Sequence, residues 1–278
     1  MDRPLLVFDG DDTLWIVEPL YDEARLSAAV YVDTLGFDSR RWEVLQRAMD
    51  IENVKKLGLA ANRFPTSCVE AYREVVKEAG EQLDKDAEEE VWQRAASVFE
   101  SKAPLVEGVA SVLDELSSAH NLALLTQGES SVQERRVSQI GLVHFFDAVH
   151  IVERKSSAVF AGLLRETSSQ PPTSWSIGNS LPSDVYPALN IGMSAIWLDA
   201  HVWEYERRQV EVVEGRLLRA ERLVDVPAVL RREESGHSEQ VSGRPASRTG
   251  SSERLDRIAA LSGSPSSMFC SLSSWARC

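Results

Sequence analysis

A chain of 278 residues that is 43% apolar can fill one large core and a smaller lobe beside it. Its formal charge of −13 weighs against extended contact with nucleic acid, and its three cysteines, Cys68, Cys270 and Cys278, have neither a zinc-like spacing nor the number for a disulfide framework. No run reaches the roughly 18 apolar residues of a membrane span, and the first residues lack a basic-then-apolar leader, so a cytoplasmic protein with no membrane or nucleic-acid partner is expected.

The first predicted element is a strand in "LLVFDG" (5–10), a fully apolar run closed by turn residues. Residues 19–101 then show helical periodicity with no convincing strand, broken at "GFDS", "ANRFPTS" and "AGEQLD", which carry turn and N-cap residues. Four helices are therefore expected as an insertion, with Pro104 marking the return. From there strand and helix alternate. A helix at 106–120 feeds strands at 122–128, 146–152, 174–180 and 194–200, separated by helices at 130–142, 157–169 and 183–192. "RLVDVPAVL" (222–230) reads as a last short strand and helix. From Ser235 onward the composition, 13 Ser in 44 residues, predicts a disordered tail. The fold class expected is α/β, a doubly wound parallel sheet with an inserted helical domain. Its expected boundaries are 1–16 and 103–232 for the core, 17–102 for the insertion and 233–278 for the tail.

Ligands of open parallel sheets bind beyond the carboxyl ends of the strands. Those ends carry Asp9 and Asp11, Thr126, Lys155, and Asn179 with Asp184. The set suits phosphoryl transfer: a carboxylate at Asp9 to attack phosphorus, a second at Asp11 to move protons, and a hydroxyl and an ammonium to hold phosphate oxygens. Magnesium would offset the repulsion between carboxylate and phosphate. Each residue also has a plainer role. Asp11 and Asp12 suit a turn, Thr126 a strand end, Lys155 a solvated surface, and Asn179, Ser180 and Asp184 a helix cap. Asp12 is assigned to the turn.

"VFDGDDTLW" resembles the first motif of the haloacid dehalogenase-like hydrolases, "LALLTQG" the second, "ERKSSAVF" the third and "SIGNSLPSDV" the fourth, in the family's order over residues 5–200. The resemblance implies a Rossmann-like core with a helical cap of the family's first type. It implies Asp9 as nucleophile and metal ligand, and Asp11 as general acid and base and as a ligand through its carbonyl. It also implies Thr126, with Gln127 beside it, and Lys155 as phosphate binders, and Asn179 and Asp184 as the rest of a magnesium site. Asn179 departs from the family's usual Asp, which removes one negative charge from that site. Arg63, with Asn62 in a break between predicted cap helices, stands where the family selects substrate. The function implied is a magnesium-dependent phosphatase acting on a small phosphorylated metabolite. The rivals are a 2-haloacid dehalogenase, a phosphotransferase, and a non-catalytic binding or regulatory protein that kept the fold.

Overall fold

Every strand is parallel to its neighbours, and the six-stranded sheet runs in the order β3-β2-β1-β4-β5-β6. The strands are β1 (Leu5–Phe8), β2 (Asn121–Gln127), β3 (Ala148–Val152), β4 (Trp175–Gly178), β5 (Ser194–Leu198) and β6 (Leu217–Ala220). The computed structural model describes residues 3–198 and 216–233, all within one compact unit. The tail expected at 233–278 lies, but for its first residue, outside the described residues.

β1 sits in the middle because its side chains can be buried on both faces. Leu6 and Phe8 join Leu122, Leu124 and Ile177 on one side, against α5 (Val109–Ser117) and α6 (Ser130–Ile140). Leu5 and Val7 join Ala123 and Leu125 on the other, against α7 (Ser157–Glu166) and α8 (Tyr186–Leu189). This period-two division of a wholly apolar run is what a doubly covered parallel strand requires. β1 lies between β2 and β4, so the chain winds outward from it in both directions. The connections leaving β1 and β4 part there and open a crevice at the strands' carboxyl ends.

Between β1 and α5 come four helices, here numbered before those of the sheet: α1 (Glu18–Thr34), α2 (Ser39–Leu57), α3 (Arg63–Glu78) and α4 (Lys85–Ala96). Asp38 and Asp84 cap α2 and α4, each accepting from two backbone N–H groups of the first turn. The four helices bury an apolar interior of their own around Trp42, Phe64, Cys68, Tyr72 and Val91. Trp42 is fully buried and its indole N–H donates to the Cys68 carbonyl at 3.1 Å. The outgoing and returning chains run side by side, with Ile16 N–H on Pro104 O at 2.8 Å and Val106 N–H on Leu14 O at 3.0 Å.

Two expectations are corrected. The last strand lies upstream of its expected place, at Leu217–Ala220, where alternate residues of "LLRA" complete the sheet edge beside β5; "RLVDVPAVL" instead supplies a 3₁₀ turn (Leu223–Asp225) and a helix over 226–233. α3 begins two residues earlier than its Pro suggests, so Arg63 is helical instead of standing in a break; Pro65 is accommodated in the first turn, where no N–H is needed. No helix among the described residues is long and apolar enough to cross a membrane.

Trp42→Ala should destabilise the chain by about 3–5 kcal/mol in urea unfolding, the usual cost of removing a large buried aromatic. A loss under about 1 kcal/mol would mean that the four-helix interior is not closely packed.

Candidate active site

β1 ends by aiming Asp9 into the crevice. The Asp9 N–H extends the ladder to β4 by one bond, to Ile177 O at 2.9 Å, and the chain then turns sharply as Gly10 O accepts from Leu14 N–H at 2.8 Å. A Cβ on residue 10 would stand 2.4 Å from the buried Trp15 ring, so only glycine fits. Asp12 adopts a left-handed φ of 58°, and its carboxylate accepts from the backbone N–H groups of Val17 at 2.8 Å and Glu18 at 3.2 Å. It thus shapes the turn and seats the start of α1.

The Lys155 ammonium lies between two carboxylates. It donates to Asp9 Oδ1 and, at 2.5 Å, to Asp184 Oδ1. All three side chains are buried. Asp184 is held in turn by a π-helical segment, Leu181–Val185, where its other oxygen accepts from Ser180 N–H at 2.9 Å and Ser180 Oγ accepts from Ser183 N–H at 3.2 Å. Gly178 is required here, because a Cβ would fall 2.3 Å from the Asp184 carboxylate. Gln127 fixes the other approach, its Oε1 accepting from Lys155 N–H at 2.8 Å. Burial, and then the Asp184 charge, push the Asp9 carboxyl up to about 7 against the pull of Lys155. Burial alone would lower Lys155, but Asp184 and Asp9 outweigh it and hold the ammonium above its ordinary value.

Asp11 faces the same cavity and is held by three donors. Trp15 Nε1 reaches Oδ1 at 2.6 Å, while Gln133 Nε2 at 3.0 Å and Arg136 Nη1 at 2.6 Å reach Oδ2. Thr126 is fully buried and donates its hydroxyl to Gln133 Oε1 at 3.1 Å. Its side chain lies beneath the cavity wall and touches the site through Gln133. Trp15, Gln133 and Arg136 were not singled out in the sequence. They belong to no strand end, and Gln133 and Arg136 meet Asp11 from 122 and 125 residues away.

The cavity has a volume of about 180 Å³. Asp9, Asp11, Gln127, Lys155, Asn179 and Asp184 line its sheet side, and Tyr21, Arg25, Arg63, Phe64 and Phe99 line the side made by the four helices. Arg63, expected in a break between helices, is 7% exposed and ion-paired with Asp50. Glu129, just ahead of α6, accepts from Ala61 N–H at 2.8 Å and ties the two sides together. Asn179 presents its amide oxygen 3.5 Å from the Thr13 hydroxyl. Among the described residues no three His, Cys, Asp or Glu side chains cluster as a metal cage. The donors at hand are oxygens only: Asp9 and Asp184, the Asn179 amide and main-chain carbonyls. That set fits magnesium, which takes one or two carboxylates and completes its shell with water and substrate oxygens.

A family model described as haloacid dehalogenase-like hydrolase matches residues 4–164, more than half of the chain and the whole stretch from Asp9 through Lys155. The chain belongs to that family. A glyceraldehyde 3-phosphate phosphatase of Methanothermobacter thermautotrophicus is 29% identical over 113 residues, which span 39% of this chain and 50% of that protein. A pyrimidine 5′-nucleotidase of Streptococcus pneumoniae is 24% identical over 209 residues, 72% of this chain and 82% of its own length. A solved haloacid dehalogenase-like hydrolase from Xanthomonas campestris superposes with a TM-score of 0.68 at 23% identity, covering 86% of this chain and 95% of that one. The two curated relatives are phosphate-ester hydrolases by name. The structure shares the fold, a parallel Rossmann-like sheet carrying helices.

Lys155→Met leaves Asp9 and Asp184 buried and facing each other without a cation. The expected loss is about 3–5 kcal/mol in urea unfolding with EDTA present, the penalty for breaking a buried ion pair from one side. A variant as stable as the parent would show that the two carboxylates do not rely on the lysine.

Proposed function

We propose that the chain is a magnesium-dependent phosphatase of small phosphorylated metabolites that works through an aspartyl phosphate on Asp9. The observation that carries this reading is the pairing of two carboxylates with separate surroundings on one cavity wall: Asp9, buried against Lys155, and Asp11, held by three donors two residues further on. The names of the two curated relatives support it.

In the first step an Asp9 oxygen attacks phosphorus, a P–O(Asp9) bond forms, and the bond from phosphorus to the alcohol oxygen breaks. Asp11 gives that oxygen its proton. Water then attacks phosphorus, Asp11 takes the water's proton, and the P–O(Asp9) bond breaks to release phosphate and restore Asp9. Lys155 balances the charge of nucleophile and phosphoryl group, and Gln127 binds beside it. Thr126 acts through Gln133, whose amide orients the Asp11 carboxylate. Magnesium, held by Asp9, Asp184, the Asn179 amide and the Asp11 carbonyl, would supply charge neutralisation between nucleophile and phosphate. The four helices act as a cap over the sheet's carboxyl edge, excluding bulk water from the acyl phosphate. Halide displacement from a 2-haloacid needs no proton donor at the leaving group, so a positioned Asp11 favours the phosphatase over the dehalogenase.

With magnesium, the chain should release inorganic phosphate from p-nitrophenyl phosphate, and EDTA should suppress that release. No chloride should leave 2-chloropropionate. Asp9→Asn should lower turnover by at least about a thousandfold, as loss of a covalent nucleophile does in other hydrolases. Turnover left intact in Asp9→Asn would remove the basis of this reading.

A further inference from the structure

Asp11 lies two residues beyond Asp9 but is held in a different way. Its side chain is 28% exposed against 9% for Asp9, so packing leaves its rotation open and hydrogen bonds must set it. The three donors divide unequally between its two oxygens. Oδ2 accepts from Gln133 Nε2 at 3.0 Å and from Arg136 Nη1 at 2.6 Å, whereas Oδ1 accepts, among the described residues, from Trp15 Nε1 alone, at 2.6 Å. A carboxylate oxygen has two lone pairs. Both are taken on Oδ2, and one is left on Oδ1.

The two donors to Oδ2 are firmly anchored. Gln133 and Arg136 stand three residues apart on α6, hence on one helix face, and are 2% and 5% exposed. Gln133 is kept from turning its amide over, because its Oε1 accepts from the Thr126 hydroxyl and its Nε2 also donates to Gln127 O at 3.2 Å. Burial opposes the charge on Arg136, but Asp11 and the Tyr21 phenol beside it outweigh burial and hold the guanidinium above its ordinary pKa. Nη1 makes a single charge-assisted bond to the carboxylate. A closed bidentate fork would have taken the free lone pair of Oδ1 as well.

We propose that Asp11 carries the transferred proton on Oδ1, and that Arg136, with Gln133, is the positioning residue that reserves this atom by saturating Oδ2. The inference rests on the phosphatase reading and adds the atom and the residues on which its proton transfers depend. In the first step the Oδ1–H bond breaks as the alcohol oxygen leaves phosphorus and takes the proton, and the bonding pair stays on Oδ1. In the second, water gives a proton to that same lone pair as its oxygen bonds to phosphorus. Without Arg136, Oδ2 recovers a lone pair. The proton then divides between two oxygens, one of them turned toward α6.

The test compares kcat/KM of the full chain with magnesium on phenyl phosphate and p-nitrophenyl phosphate, esters of nearly the same shape. Phenolate, the stronger base, needs the proton as it leaves, whereas p-nitrophenolate departs readily as the anion. Arg136→Met should lower kcat/KM for phenyl phosphate at least about tenfold more than for p-nitrophenyl phosphate, a part of the hundredfold or more that a positioned acid contributes. Arg136→Lys, which returns one charged donor, should recover at least about a threefold part of that difference. Gln133→Met frees Oδ2 from its other donor and should split the two esters in the same direction, which decides the matter if circular dichroism shows that Arg136→Met does not fold. A general loss of structure lowers both esters alike. Losses on the two esters within about twofold of each other, a larger loss on p-nitrophenyl phosphate, or no recovery with lysine would overturn the assignment. Failure of the phosphatase reading looks different: the unsubstituted chain would hydrolyse neither ester, and the assignment would fall with it.

Discussion

A lysine ammonium buried between two aspartates is the constraint on which the site depends. Asp9 comes from the end of β1, Lys155 from the approach to α7, and Asp184 from the turn after β4. No two of these segments are neighbours in sequence, and none of the three charges is tolerable alone in a dry interior. Pairing them joins three strand ends at one point and makes the register of β1 against β4 matter to the chemistry. Glycine at 178 follows from the same constraint, since Asp184 occupies the volume that a side chain there would need.

The apolar core supplies what the charges cannot. Leu5, Leu6, Val7 and Phe8 are all essentially fully buried, which contributes about 1.5–3 kcal/mol each to holding the strand that presents the following turn. The turn itself divides the acids by surroundings. Asp9 meets a cation, Asp11 meets one donor from its own turn and two from a distant helix, and Asp12 turns back to cap α1. Carboxylates that differ this way can take separate parts in one reaction. The fold then closes the crevice with helices inserted at that same turn, so the segment that faces the site is anchored within a few residues of Asp9.

Much of this was legible in the sequence, for a physical reason. Parallel strands announce themselves as short apolar runs, and their carboxyl ends must meet on one edge, so Asp9, Asp11, Lys155, Asn179 and Asp184 could be gathered before any coordinates. Arg136 and Gln133 were hidden, because they sit on a helix with no local signature and reach Asp11 only through tertiary packing. Arg25 was hidden for the same reason. Thr126 was legible as a strand-end hydroxyl, but its direction was not: side-chain alternation along β2 turns it into the interior, under Gln133. Arg63 was expected in a break between helices, whereas α3 starts at it and Asp50 pairs with it inside. The last strand was placed too far along because "LLRA" is too short to stand out from its charged flanks.

A carboxylate at the head of the sheet that attacks phosphorus must carry the phosphoryl group for part of each turnover. The direct measurement is rapid acid quench of the full chain during turnover with magnesium and a phosphate ester, followed by peptide mass spectrometry. A phosphoryl group on the peptide that contains Asp9, absent from Asp9→Asn, is the expected result. A phosphoryl group on another residue, or a chain that turns over ester while Asp9 never becomes modified, would contradict it.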